Sequence, residues 1–267
     1  MTDSTTAPPS DRTIVEIAGG VMTITMIDEE NRNALGAQLL AELGAAIDRA
    51  EADPAVRVVV LTNRGTTFCA GANLKEQTSG AAGTPGGPTM TLPDLFVRIR
   101  NSPLPFVGKI NGHAVAGGLG LAALMDISVV LETAKHGFTE VRIGVAPAII
   151  SVVCLQKMRR GEAVSAMLRG NRFLAPEAVR LGLFNQVASA DDIDAAVDEI
   201  VSDLLAGGPN ALAATKTLFD QVPEMGMEEA LAWTGKLSGS LFKSVEGQEG
   251  MTAYLQKRPA SWVPEAE

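Results

Sequence analysis

The chain has 267 residues, 46% of them apolar and 20% charged, with a formal net charge of -9. That composition belongs to a globular protein able to bury a sizeable core. An acidic chain without a basic run argues against nucleic acid or an anionic membrane as the main partner, and any anionic ligand would need local cations to hold it. Cys69 and Cys154 are the only cysteines, and with His113 and His136 they form no metal-ligand spacing. One pair of thiols is not a disulfide framework, so a reducing cytoplasm is the expected compartment.

Residues 1–11 are polar and proline-bearing and read as a tail without the apolar stretch of a signal peptide. Two β-prone runs, 14–17 and 21–27, flank Gly19-Gly20 and predict a hairpin. From 36 to 52, Leu39, Leu43, Ile47 and Ala50 fall at helical spacing, and Asp53-Pro54 stops the helix. The β-branched run 56–61 predicts a strand buried on both faces. A small-residue turn, 68–75, leads toward a helix, and a Gly/Pro/Ser/Thr-rich loop is expected at 78–93. A helix near 95–100, a strand at 104–110, a Gly-rich turn opening a helix within 114–125 and a strand at 127–131 follow. The apolar run 114–131 approaches the length of a membrane span, but Asp126 and its glycines favour a buried soluble core. Beyond about 159 the pattern is mostly helical. Strands alternating with helices predict an α/β fold with parallel pairs.

Two small-residue turns carry the chemical interest: Cys69-Ala-Gly-Ala-Asn73 and Asn111-Gly-His-Ala-Val-Ala-Gly-Gly-Leu-Gly120. Each follows a predicted strand and opens a helix, where unpaired N–H groups and the positive end of the backbone dipole gather. Side by side, two such turns would form a hole for an oxyanion; singly, the glycines serve equally well for turn geometry and close packing. Glu140 stands at an expected helix start, where a carboxylate is either a reactive group or one favoured by the dipole. His113 and His136 lack a sequence-adjacent partner that would define an acid–base role, and Asp126 reads as a hydrogen-bonded structural carboxylate.

Together these residues resemble the enoyl-CoA hydratase/isomerase (crotonase) superfamily. The likeness runs in order through Asn33-Ala-Leu35, Asp53-Pro54 with the strand after it, Phe68-Cys-Ala-Gly-Ala-Asn-Leu-Lys-Glu76, the turn 111–120, Gly137-Phe-Thr-Glu-Val-Arg-Ile-Gly144, and segments 178–187 and 249–258. It covers about residues 12–260.

The resemblance implies a ββα spiral with two roughly perpendicular sheets and a helical C-terminal region. It divides the chain into a tail (1–11), a spiral core with the acyl-CoA site (12–195) and a C-terminal helical region for trimerisation and CoA covering (196–267). It makes Ala72 and Gly117 the two oxyanion N–H donors and Glu140 the catalytic carboxylate. The family's other frequent glutamate falls on Gly120. Arg32, Ala70, Lys75 and Lys257 are the implied CoA contacts, Lys257 from a region that often closes over a neighbouring subunit's CoA. The expected partner is an acyl-CoA substrate, CoA being part of that substrate with no permanently bound cofactor. The expected assembly is a homotrimer or a hexamer of paired trimers. The expected activity is that of a lyase hydrating a 2-enoyl-CoA, closest in pattern to hydratases of the methylglutaconyl-CoA type. A single-glutamate enoyl-CoA isomerase, or another crotonase-fold CoA-thioester enzyme such as a hydrolase or decarboxylase, is the alternative, and an acyl-CoA-binding scaffold without turnover is the non-enzymatic one.

Overall fold

The computed structural model describes residues 11–79 and 90–264. Strands β1 (Thr13–Ala18) and β2 (Val21–Met26) pair antiparallel, and both glycines of the Gly19-Gly20 turn take positive φ, as a tight hairpin requires. Helix α1 (Ala37–Ala52) buries the stripe through Leu39, Leu43, Ile47 and Ala50 and stops at Asp53. Its first turn holds no acidic residue, and Gly36 at its start provides no side-chain cap. Then come β3 (Val58–Asn63), β4 (Thr67–Cys69), α2 (Leu74–Ser79), α3 (Leu92–Asn101), β5 (Phe106–Ile110), β6 (His113–Val115), α4 (Gly117–Leu124), β7 (Ile127–Leu131) and β8 (Lys135–Gly137). A short 3-10 turn, Thr139–Ile143, leads to α5 (Ala148–Lys157), α6 (Arg160–Arg169), β9 (Phe173–Leu174), α7 (Ala175–Arg180) and β10 (Gln186–Ala188). Helices α8 (Ile193–Ala206), α9 (Pro209–Gln221), α10 (Met227–Lys243) and α11 (Val245–Gln256) complete the described chain.

These elements form an α/β fold with two sheets. The larger runs β1-β2-β3-β5-β7-β10, and every pairing after the opening hairpin is parallel. The smaller runs β4-β6-β8-β9, with β4, β6 and β8 parallel. Period-two alternation sorts the large sheet's side chains between two cores. Val59, Leu61, Phe106, Ile110 and Val130 face the main core with α1, α3 and α4. Val58, Val60, Val107 and Val129 face a second core closed by Ile193 and Val197 of α8. The boundary expected at 195–196 therefore runs inside a helix that covers the sheet.

The run 114–131 resolves into β6, α4 and β7, with Asp126 between the last two. The Asp126 carboxylate accepts from Phe106 N–H (2.8 Å) and Lys216 Nζ (2.7 Å), a structural role. Among the described residues no helix is long and apolar enough to cross a membrane. Of the loop expected at 78–93, Thr78 lies in α2, Leu92 and Pro93 open α3, and Thr91 caps α3 through a reciprocal pair of bonds with Asp94. Residues 80–89, like residues 1–10 of the tail, lie outside the described residues.

Toward the C-terminus the chain is fastened at Arg57, just before β3. Its guanidinium donates to the carbonyls of Gly207 (2.7 Å) and Trp262 (2.9 Å), while the Trp262 indole donates to Ala206 O (3.0 Å). Between these anchors, α9 and α10 contain no buried residue in the single chain.

Candidate active site

Three consecutive parallel strands of the small sheet each end in a candidate residue. The chain leaves β4 for Ala72, β6 for Gly117 and β8 for Glu140. Because β4 pairs β6 and β6 pairs β8, their C-terminal ends lie side by side, and Ala116 N–H continues the join by donating to Gly137 O (3.0 Å).

The direction of the Ala72 amide follows from its pairing. Ala72 forms an isolated parallel bridge with Leu35: Leu35 N–H donates to Gly71 O (2.7 Å) and Asn73 N–H donates to Leu35 O (3.3 Å). In such a bridge the middle residue's own N–H and C=O point away from the partner strand. The Ala72 N–H accordingly faces away from Leu35, and among the described residues it has no acceptor. Gly117 is the first residue of α4, so its N–H has no intrahelical acceptor, and among the described residues it finds none elsewhere.

The two turns touch. Gly71 takes φ +88°, and a Cβ there would lie 3.2 Å from Gly117 N and 3.0 Å from Ala116 Cβ. A Cβ on Gly118 would overlap the Cys69 carbonyl group, 2.7 Å from its carbon. Ala116 itself holds φ 49° and ψ -131°, a conformation foreign to L-residues that turns the chain sharply from β6 into α4. Small residues thus let two backbone corners meet, which is how the unpaired amides come close. Ala72 is exposed and Gly117 half-buried, so a ligand can reach both.

Glu140 is 9% exposed, and its Oε2 is buried with no hydrogen-bond partner among the described residues. Burial raises its pKa above the ordinary carboxylate value; a bond to its own backbone N–H offsets this only in part. A carboxylate with a raised pKa and an unused oxygen suits proton transfer.

Beside Gly117 the wall is hydrocarbon. Gly120, in the first turn of α4, packs so tightly against Ile150 of α5 that a Cβ there would lie 2.6 Å from Ile150 Cβ, closer still to its methyl branch, and 3.2 Å from Phe96 Cζ. The space beside Gly120, where the resemblance expects a second glutamate, is therefore filled by a neighbour rather than left open.

Of the cation candidates, Arg32 and Lys75 are exposed on the face of the first turn. Arg32 takes positive φ (55°), its carbonyl accepts from Ala70 N–H (3.1 Å), and Lys75 Nζ lies 3.5 Å from Asn31 Oδ1. Arg32, Ala70, Ala72 and Lys75 are thus brought together. Lys257 is not: it caps the far end of α11, followed by Arg258 paired with Glu249 and by Trp262 at the Arg57 anchor. That anchor precedes the N-terminal end of β3, whereas the site turns follow the C-terminal ends of their strands.

Other reactive side chains are accounted for. His136 is fully buried edge-on to Phe184, and burial pushes its pKa down to about 3. His113 Nδ1 accepts from Lys135 N–H (3.0 Å), and burial lowers its pKa as well. Burial pushes the Cys69 and Cys154 thiols up to about 12, so neither is a nucleophile near neutrality.

Two amides without acceptors among the described residues thus stand at adjoining strand ends, with a buried carboxylate at a third. Residues 16–265 match the family model described as enoyl-CoA hydratase/isomerase, and the chain belongs to that family. It is 35% identical over 244 residues to a Thermus thermophilus protein named "Putative enoyl-CoA hydratase", covering 90% of this chain and 96% of that one. It is 31% identical over 253 residues to the carnitinyl-CoA dehydratase of Proteus mirabilis, covering 91% and 95%. Among solved structures, an enoyl-CoA hydratase/isomerase from Marinobacter aquaeolei superposes with a TM-score of 0.86 at 28% identity, over 94% of this chain and 99% of that one.

Proposed function

We propose that the chain is an enoyl-CoA hydratase, adding water reversibly across the double bond of a 2-enoyl-CoA thioester. The observation that carries this reading is the pair of unused, adjoining N–H groups of Ala72 and Gly117, with Glu140 on the next strand end.

In this reading the thioester oxygen accepts from both amides. As the water oxygen bonds to the β-carbon, the C=C pair moves onto the thioester oxygen as an enolate. The amides stabilise that charge more than the neutral carbonyl, which lowers the barrier; losing one such donor typically costs about 10²–10³ in rate. Glu140 takes the proton released by water. When the enolate collapses, Glu140 returns a proton to the α-carbon and is regenerated. Without a carboxylate at position 120, both transfers pass through Glu140.

Arg32 and Lys75 are proposed to face the CoA phosphates with Ala70 beside them, and Lys257 to serve a neighbouring subunit. Trimers, alone or paired, are supported by large apolar side chains left exposed on α5 (Ile149, Val152, Leu155) and on the C-terminal helices (Leu231, Phe242, Leu255). A cytoplasmic location is consistent with two free, buried cysteines.

The test is loss of conjugated-thioester absorbance with short and branched 2-enoyl-CoAs. Glu140→Gln is expected to lower kcat by about 10²–10⁴ without lowering Tm. Turnover that is untouched by Glu140→Gln refutes the assignment, and a protein that binds acyl-CoA without turnover is a scaffold.

A second reading has its own support. Isomerisation of a 3-enoyl-CoA needs one proton-shuttling carboxylate and no activated water, and Ile150 fills the place beside Gly120. Conversion of 3-enoyl-CoA to the 2-enoyl product, with no water addition, selects it.

A further inference from the structure

We infer that Glu76 is a positioning residue: it clamps the Leu35–Ala72 bridge and so fixes the direction of the Ala72 N–H. This rests on the proposal that Ala72 is an oxyanion donor. The bridge is a single rung, held by two backbone bonds. One rung alone frays easily, and its Leu35 side is irregular, with Arg32 and Asn33 both at positive φ.

Glu76 extends that rung with its side chain. Oε2 accepts from Ala37 N–H (2.9 Å), two residues beyond Leu35, and Oε1 accepts from Asn73 Nδ2 (2.8 Å), the residue after Ala72. The carboxylate packs close against Gly36, where a Cβ would come within 2.9 Å of Glu76 Cδ. Both flanks of the bridge are thus joined through one carboxylate.

An independent feature of α1 points the same way. This sixteen-residue helix has no acidic residue in its first turn and no side-chain cap of its own. Glu76, reaching from α2, satisfies the first N–H of α1 and sets a negative charge at the positive end of its dipole. The same contact ties α1, packed into the main core, to the turn that carries the Ala72 amide. Position matters here because an oxyanion donor works only at hydrogen-bond distance from where the charge develops.

The test compares Glu76→Ala, Glu76→Gln and Ala37→Pro. Proline is tolerated at a first helical position, and Gly36 already has the extended conformation (φ -94°, ψ 171°) that precedes proline. Ala37→Pro therefore removes the donor to Oε2 while keeping the helix. For the 2-enoyl-CoA that the wild type turns over, Glu76→Ala is expected to lower kcat at least about tenfold with KM nearly unchanged. Glu76→Gln, retaining one acceptor, should restore part of that loss. Ala37→Pro should lower kcat in the same direction, and Ala37→Pro with Glu76→Ala should be no worse than Glu76→Ala alone. The carbonyl stretch of a bound, isotope-labelled saturated acyl-CoA should shift toward its free value in each slow variant.

A variant that loses Tm yet keeps wild-type kcat and carbonyl stretch overturns the inference, leaving Glu76 a helix cap only. So does a rise in KM at constant kcat, which would place its effect on CoA binding. If Glu76→Ala does not fold, the Gln and Pro variants decide by the same readouts. Wild-type turnover independent of Glu140 would instead defeat the functional proposal itself.

Discussion

In β3 all six side chains are buried; in the seventeen residues of α10 none is. The first is covered on both faces, by the main core on one side and α8 on the other. The second carries Leu231 and Phe242 in the open, and α11 beside it leaves Val245 at 90% and Tyr254 at 84% exposure. The large sheet closes its hydrophobic surface within one chain, while the C-terminal helices, like the outer side of α5, leave theirs open. Ala72, Gly117 and Glu140 all follow strand ends of the small sheet, none of them on the outer helices. Precision of the amides is thereby separated from whatever the outer helices contact.

That contrast breaks most visibly in the spiral. Gly118→Ala drives a Cβ into the Cys69 carbonyl, where rigid backbone rather than a flexible side chain must yield. The expected result is roughly 1–3 kcal/mol of lost stability by denaturant titration. Activity should fall with it, because the displaced turn carries the Gly117 amide.

Acid sharpens the comparison next. His136 is neutral in the folded spiral, with a pKa near 3, and titrates near its ordinary 6.5 when unfolded. Between those values the unfolded state binds more protons, so stability is full above pH 6.5 and declines as pH falls below it. By pH 5 the loss is about 2 kcal/mol. Chemical denaturation at pH 8 and pH 5 measures it, and His136→Phe should flatten the slope. Activity should fall on acidification through Glu140, with an acid limb above the ordinary carboxylate range, because the base form does the work.

Least of all should the outer helices feel a polar substitution. Leu231→Ser with Phe242→Ser is expected to change the stability of the single-chain fold by no more than about 0.5 kcal/mol, since both positions are exposed. Sedimentation should nonetheless report a smaller particle. An unchanged mass, or a collapse of the spiral, erases the distinction between the two regions.

The same division governs what could be read from residues alone. The strands β2, β3, β5 and β7 and helix α1 are long enough to show periodicity, and their positions follow from it. The small sheet does not announce itself: β4, β6 and β8 span three residues each and β9 two, too few for any alternation. Yet those strands bring the three site residues together. Ala72 was legible only through family likeness, because its free amide depends on pairing with Leu35, far off in sequence. Glu76 gave one local clue, the missing cap at Gly36, which means something only once α2 is seen to supply it. At Gly120 the absent carboxylate is plain from the sequence; that Ile150 takes its room is not.

Arg57 has a consequence for the outer helices. By gripping the carbonyls of Gly207 and Trp262 together, it turns the chain between them into a closed loop pinned at both feet. The entropy of bringing those feet together is lost during folding of the single chain rather than at encounter. Any partner surface that met these three helices would find them already gathered on one pivot, and association would have correspondingly less disorder to remove.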